Sequence, residues 1–333
     1  MKDLADDVVT WASAHYADWM DTYEKTRVAA ANLIGASPRE IALTKNTSEG
    51  IATVQMGLDW LPGDRVVAFR EEFPANYYPW QLLEKKGVTV TWLSIEDSLD
   101  EVDRAATGAR LLAVSFVNYL TGRRVDLAGF GEICRRRGCF FFVDAIQGLG
   151  VFPVDVEAMG IDALSADGHK WLMGPEGCAI LYVRRSRQDE VAPAEFGWTN
   201  VAGYEDYASR DLTLRPDAGR YECGTLNTIG IYGLRAALDF VNEIGVSEIG
   251  PRVLKLAARI AEGAQSKGYE LIRKGAPESG IVSFRRADLD SRMVVSALKD
   301  RGMHAAPRQG WVRVSPHFYQ TFDEMDAVVA ALP

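Results

Sequence analysis

Between residues 41 and 183 the chain alternates short β-rich runs with helical stretches, and this alternation restricts the fold more than any other feature. Candidate strands are IALT (41–44), RVVAF (65–69), VTVTWL (88–93), RLLAVSFV (110–117), CFFFVD (139–144), DALSA (162–166) and CAILYV (178–183). Several are continuous apolar runs rather than alternating ones, as strands buried on both faces of a sheet require. Between them, TSEGIATVQMGLDW and LAGFGEICRRRG place apolar residues at helical spacing, the second ending on a glycine stop. Strand–helix order with short Gly-containing connections specifies an α/β domain with a mostly parallel sheet.

The pattern changes near residue 228. Two long helical stretches, TIGIYGLRAALDFVNEIG and VSEIGPRVLKLAARIAEGAQSKG, precede a strand at 280–284, a helix over DLDSRMVVSALKDRG, a strand at 311–316 and a last helix from 321. A length of 333 residues accommodates two domains. The expected division is a large domain over 21–235 and a small α/β domain over 236–333, with a helical segment 1–20 packed nearby.

Net charge is −9, which disfavours a nucleic-acid or anionic-membrane partner, because phosphate contacts need clustered Lys and Arg. The one basic knot, CRRRGC (134–139), reads as a solvated helix end. No charged segment followed by an apolar one opens the chain and no long apolar run occurs, so a cytoplasmic location is expected. The four cysteines form no Cys-x-x-Cys pair and have no His at ligand spacing, so no metal site is expected and they read as reduced structural thiols.

Ligands of open α/β sheets sit beyond the carboxyl ends of the strands, so those ends carry the functional reading. After the first strand comes TKNTSEG (44–50), where Thr47 and Ser48 open a helix whose N–H groups make an anion seat. After the fifth come Asp144 and Gln147, and DALSA runs on into DGHKW, delivering His169 and Lys170 to the same edge. Each feature alone is also ordinary capping or turn chemistry. Together, a lysine, a carboxylate and an anion seat are what pyridoxal phosphate demands: an amine to bind its aldehyde, a charge beside its ring nitrogen, and a place for its phosphate.

The ordered motifs TKNTSEG, EEFPANYYPW, SFVNYLTG, FFVDAIQGLGVFPVDV, SADGHKWLMGPEG and RYECGTLNT resemble those of the class-V, fold-type I pyridoxal-phosphate enzymes over nearly the whole chain. That family includes cysteine desulfurases, isopenicillin-N-epimerase-like proteins and kynureninase-like lyases. The resemblance implies a mostly parallel seven-stranded sheet sandwiched by helices, followed by a small C-terminal α/β domain. It implies that Lys170 forms the internal aldimine and shuttles protons, that Asp144 pairs with the pyridinium nitrogen, and that Gln147 and Asn118 approach the phenolic oxygen. Thr47 and Ser48 would seat the phosphate with His169 beside it. Phe73 would lie against the cofactor face where relatives often carry a histidine. Gly224 and Thr225 would reach the phosphate of a partner subunit, implying a homodimer with shared active sites. Arg313 would hold a substrate carboxylate by a bidentate pair.

Three departures qualify the resemblance. The stretch RGMHAAPRQGWVRVSP (301–316), where desulfurases place the persulfide-forming cysteine, contains none. Asp167 stands where desulfurases have a phosphate-contacting serine, and its charge would repel a phosphate at close range. The chain also starts in a helical segment, MKDLADDVVTWASAHYADWM, where relatives place a segment lining the site entrance. The expected activity is on an amino acid or related amine, of aminotransferase type. A β-lyase (C–S lyase) or epimerase of the same family is the alternative, and a catalytically silent binding protein on this fold is the alternative of another class.

Overall fold

The computed structural model describes residues 1–333, which form two compact units: 1–116 with 126–244, and 117–125 with 245–333. The first unit holds strands β1 (Ile41–Thr44), β2 (Arg65–Phe69), β3 (Thr89–Leu93), β4 (Leu111–Ser115), β5 (Phe140–Asp144), β6 (Ala163–Asp167) and β7 (Ala179–Val183). They make one sheet in the order β1-β7-β6-β5-β4-β2-β3. Pairing is parallel from β3 through β6, whereas β7 runs antiparallel to β6 and β1 antiparallel to β7. The return of β7 turns residues 168–178 into a hairpin connection at the carboxyl edge of β6, closed by Gly168 N–H to Cys178 C=O at 2.8 Å.

Helices of this unit are α1 (Lys2–Trp11), α2 (Tyr16–Ile34), α3 (Thr47–Gly57), α4 (Tyr78–Leu82), α5 (Leu99–Ala106), α6 (Leu127–Arg137) and α7 (Thr228–Ile244). Neighbouring residues of β5 face opposite sides of the sheet, and each side is covered. Phe142 meets Trp80 of α4 at 5.9 Å between ring centroids, while Phe141 stacks on Phe130 of α6 at 6.4 Å. All five residues of each of β4, β5 and β6 are buried, the polar Ser115, Asp144, Ser165 and Asp167 included. The helix α3 lies so close to the sheet that a Cβ on Gly50 would sit 2.2 Å from Ser165 Oγ, so glycine is needed there for the close approach. The N-terminal helical segment is broken at 12–15, where Ala12 takes φ +53°, and resumes as α2 through Ile34.

The second unit contains α8 (Val246–Ser266), α9 (Ser291–Lys299) and α10 (Phe322–Ala331) with strands β8 (Glu270–Leu271), β9 (Val282–Arg285), β10 (Ala306–Arg308) and β11 (Trp311–Val314). Its sheet, β10-β11-β9-β8, is wholly antiparallel. Leu256, Ile260, Phe284, Leu298 and Val312 form its core. The boundary expected at 235 falls inside α7, whose buried stripe of Ile231, Leu234, Leu238 and Val241 continues unbroken, and the units part at its end. Residues 117–125, expected within the large domain, count with the second unit, where Ser283 Oγ donates to Leu120 C=O at 2.5 Å.

One buried ion pair ties three segments of the first unit together. Arg27 of α2 donates through Nη2 to both carboxylate oxygens of Glu222, at 2.8 and 2.6 Å. Glu222 Oε1 also accepts from Leu43 N–H of β1 at 2.8 Å, which fixes the loop RYECGTLNT against the sheet. Replacing Arg27 by Met strands the Glu222 charge in the interior, and urea unfolding is expected to register a loss of about 3–5 kcal/mol. A loss below about 1 kcal/mol would show that the pair does not organise this loop.

Candidate active site

The register of the parallel strands sets Ser115, Asp144 and Ser165 side by side at the carboxyl ends of β4, β5 and β6. Asp144 is buried, and its Oδ1 accepts from Ile146 N–H at 3.1 Å. Burial pushes its pKa up to about 6, opposed by that hydrogen bond and by the Lys170 ammonium, while the Asp167 charge adds to the rise. Lys170 follows β6 in the hairpin, with Nζ 6.0 Å from the centroid of the Phe73 ring. Gln147 is buried and its Oε1 accepts from Trp171 Nε1–H at 3.1 Å, so the residue after the lysine holds the glutamine that follows β5.

Asp167 and Thr47 bind each other reciprocally. The carboxylate Oδ2 of Asp167 accepts from Thr47 N–H at 2.9 Å, and Thr47 Oγ1 accepts from Asp167 N–H at 2.9 Å. The side chain that caps α3 is Asn46, whose Oδ1 accepts from Glu49 N–H at 2.9 Å. Of the two hydroxyl residues expected to seat an anion, Thr47 is therefore buried and engaged, whereas Ser48 is exposed. Asp167 Oδ1 is buried without a hydrogen-bond partner and lies 3.6 Å from His169 Nδ1.

Gly224 and Thr225 line a cavity of about 220 Å³ with Thr44, Lys45, Cys178 and Asn227. Beside it the Cys223 thiol donates to Glu195 Oε2 at 3.3 Å, and burial together with that carboxylate pushes its pKa up. Asn118 and Arg313 belong to the second unit. There Asn118 Oδ1 accepts from Leu120 N–H and Thr121 N–H at 3.0 and 2.9 Å, shaping a turn, and Arg313 Nη1 donates to Tyr119 C=O at 2.8 Å.

The family model "Aminotransferase class-V" matches residues 5–328. A Bacillus subtilis (strain 168) protein named uncharacterized aminotransferase YcbU is 33% identical over 92% of this chain and 83% of its own length. A probable cysteine desulfurase of Pyrococcus abyssi (strain GE5 / Orsay) is 32% identical over 93% of this chain and 82% of its own. The apo structure of cysteine desulfurase from Thermococcus onnurineus NA1 superposes with a TM-score of 0.89 at 29% identity, covering 94% of this chain and 83% of that one. The chain belongs to the class-V aminotransferase family. It is thereby a pyridoxal-phosphate-dependent enzyme with the α/β architecture that the motifs imply.

The expected site residues fit the cofactor at its ring nitrogen. Asp144 is a buried carboxylate with one backbone donor and a lysine as its opposing charge, suited to a protonated ring nitrogen. The orphaned Asp167 Oδ1 is an acceptor beside the start of α3 that a phosphate would not satisfy. Here the departure from the desulfurase pattern has its structural account: the Asp167 carboxylate takes the Thr47 amide, leaving exposed Ser48 beside the same helix start.

Sequence reasoning missed Glu72. This residue lies three positions beyond β2 in EEFPANYYPW, and it is buried with Oε1 accepting from Ser115 N–H at 2.6 Å. Burial and, secondarily, the Asp144 charge push its pKa up to about 8. The only signal in the sequence was an acid just beyond an apolar strand, which an exposed turn would also produce.

An acid whose folded pKa lies above its unfolded value takes stability away as pH rises through the gap between them. The unfolding free energy is therefore expected to fall from the ordinary carboxylate range through about 6 for Asp144 and on to about 8 for Glu72. Glu72→Gln should flatten the upper part of that slope in chemical denaturation followed against pH.

Proposed function

We propose that this protein moves the amino group of an amino acid or related amine, with Lys170 as its proton-carrying residue. The observation that carries the reading is Lys170 Nζ standing against the Phe73 ring while its charge is felt by buried Asp144. Pyridoxal phosphate, when bound, supplies the aldehyde that takes up an amine and the ring that withdraws electrons from the carbon being deprotonated. Asp144 would keep the ring nitrogen protonated, and Gln147, held by Trp171, would hydrogen-bond at the phenolic oxygen. Ser48 and the start of α3 are the proposed phosphate contacts, with His169 beside them and Thr47 acting through Asp167. Arg313 is the proposed partner of a substrate carboxylate, and Asn118 is proposed near the cofactor's phenolic oxygen.

Phe73 can cover a ring and exclude water but cannot give or accept a proton. Proton transfer then falls to Lys170 from the face Phe73 leaves open, which suits a shift of one proton between two carbons on a single face. Epimerisation, which needs proton exchange on both faces, is less well served. A β-lyase remains the second reading, because removal of one proton by Lys170 and loss of a leaving group would use the same residues. Persulfide chemistry of the desulfurase kind is not supported: burial pushes Cys178 up to about 11, and Cys134 and Cys223 are raised as well. Such thiols are poor nucleophiles near neutral pH. A homodimer is part of the proposal, with Gly224 and Thr225 reaching the partner's site.

Purified protein loaded with the cofactor should show the visible absorption band of the lysine-bound form. Lys170→Ala should abolish borohydride-stable attachment and reduce turnover by about 10²–10⁴-fold or more. With a panel of amino acids, a keto acid and stoichiometric aminated cofactor would support amino-group transfer. Pyruvate and ammonia without a co-substrate would move the assignment to the lyase, and absence of the band in wild type would leave only the silent binding protein.

A further inference from the structure

Glu72, just beyond β2, and Asp144, at the end of β5, flank the intervening strand β4 and both stand against its Ser115. Ser115 pairs with Asp144 in register, and the same Ser115 donates its N–H to Glu72 Oε1 at 2.6 Å. Glu72 Oε2 makes a short contact with Ser115 Oγ. Residue 116 donates its N–H to Asp144 C=O at 2.8 Å, so both acids are anchored on one β4–β5 junction. Each is more than nine-tenths buried, Glu72 at 7% and Asp144 at 3% exposure.

The groups facing this pair do not balance two negative charges. Against Glu72 lie Ser115 of β4, the neutral Asn76, and Asp144 of β5. Against Asp144 lie the Lys170 ammonium and a further carboxylate, Asp167, both beyond or at the end of β6. Glu71, next in sequence, turns away, accepting from Ser94 Oγ–H and Ile95 N–H at 3.0 Å each. Two buried carboxylates set against the same Ser115 cannot both stay ionised at low cost, so the pair holds a proton near neutral pH. Asp144 has the lysine, and Glu72 has only neutral donors.

We propose that Glu72 is a positioning residue for Asp144: it stands as a neutral acid, its proton held in the contact with Ser115 Oγ, so that the carboxylate left charged is Asp144. The proposal rests on the reading of Asp144 as the partner of the cofactor's ring nitrogen, and it deepens that reading by naming what keeps the aspartate charged. A residue that served packing alone would need no proton and would not respond to Asp144.

Infrared spectra of the full chain, with its cofactor and after its removal, test this directly through the carboxylic-acid C=O stretch. Wild type should show an acid band at pH 7 that disappears as pH is raised through about 8. Glu72→Gln, close in shape, should lack that band. Asp144→Asn should keep it but shift its midpoint down by about one unit or more, because the neighbouring charge is gone. No acid band at pH 7, a band surviving in Glu72→Gln, or a midpoint unmoved by Asp144→Asn would each overturn the proposal. Failure of the cofactor reading is separable, since it appears as a missing visible band in loaded wild type while the cofactor-free infrared result stands.

Discussion

The reciprocal bond between Asp167 and Thr47 is the contact on which the rest of the site depends. It joins the last residue of β6 to the first turn of α3 through two 2.9 Å hydrogen bonds, one of them to a carboxylate. Gly50 one turn later lets α3 settle against Ser165, so helix and strand are held at two points on one line. The hairpin that leaves β6 therefore starts from a fixed position, and Lys170 comes three residues after Asp167. An acid in this position trades an anion-binding amide for rigidity between α3 and β6, which is a different solution from a serine at the same place.

Buried charge recurs through the first unit, and its logic changes from place to place. Arg27 and Glu222 neutralise each other, and Glu222 also takes the Leu43 amide, so they act as a fastening between α2, β1 and the loop RYECGTLNT. At the carboxyl edge of the sheet the acids outnumber the cation available to them. Glu72, Asp144 and Asp167 arrive from three different strand ends, Lys170 acts on Asp144, and desolvation pushes Glu72 and Asp144 upward. An unbalanced acidic group of this kind is poorly justified as scaffolding and is what chemistry on an amine would use.

Much of the architecture was legible because it follows from local chemistry. RVVAF, CFFFVD and CAILYV read as buried strands from apolar runs alone, and β2, β5 and β7 occupy those stretches. The direction of β7 was not legible, since an apolar run reads the same whichever way it pairs. β8 and β10 were missed because two or three partly exposed residues carry no periodicity. The site divides the same way. Lys170, Asp144 and Gln147 stood out by residue type at strand ends, whereas Glu72 did not, because an acid in a turn is usually solvated.

By itself the sequence determined which segments become strands and helices, the family to which they belong, and the reactive residue types at the carboxyl edge. Those are matters of local pattern and of side-chain chemistry. Tertiary structure alone decided that Asn46 caps α3 while Thr47 turns to Asp167, that Trp171 holds Gln147, and that Glu72 is buried beside Asp144. These depend on strand register and on removal from water, and both arise only when segments distant in the chain are brought together.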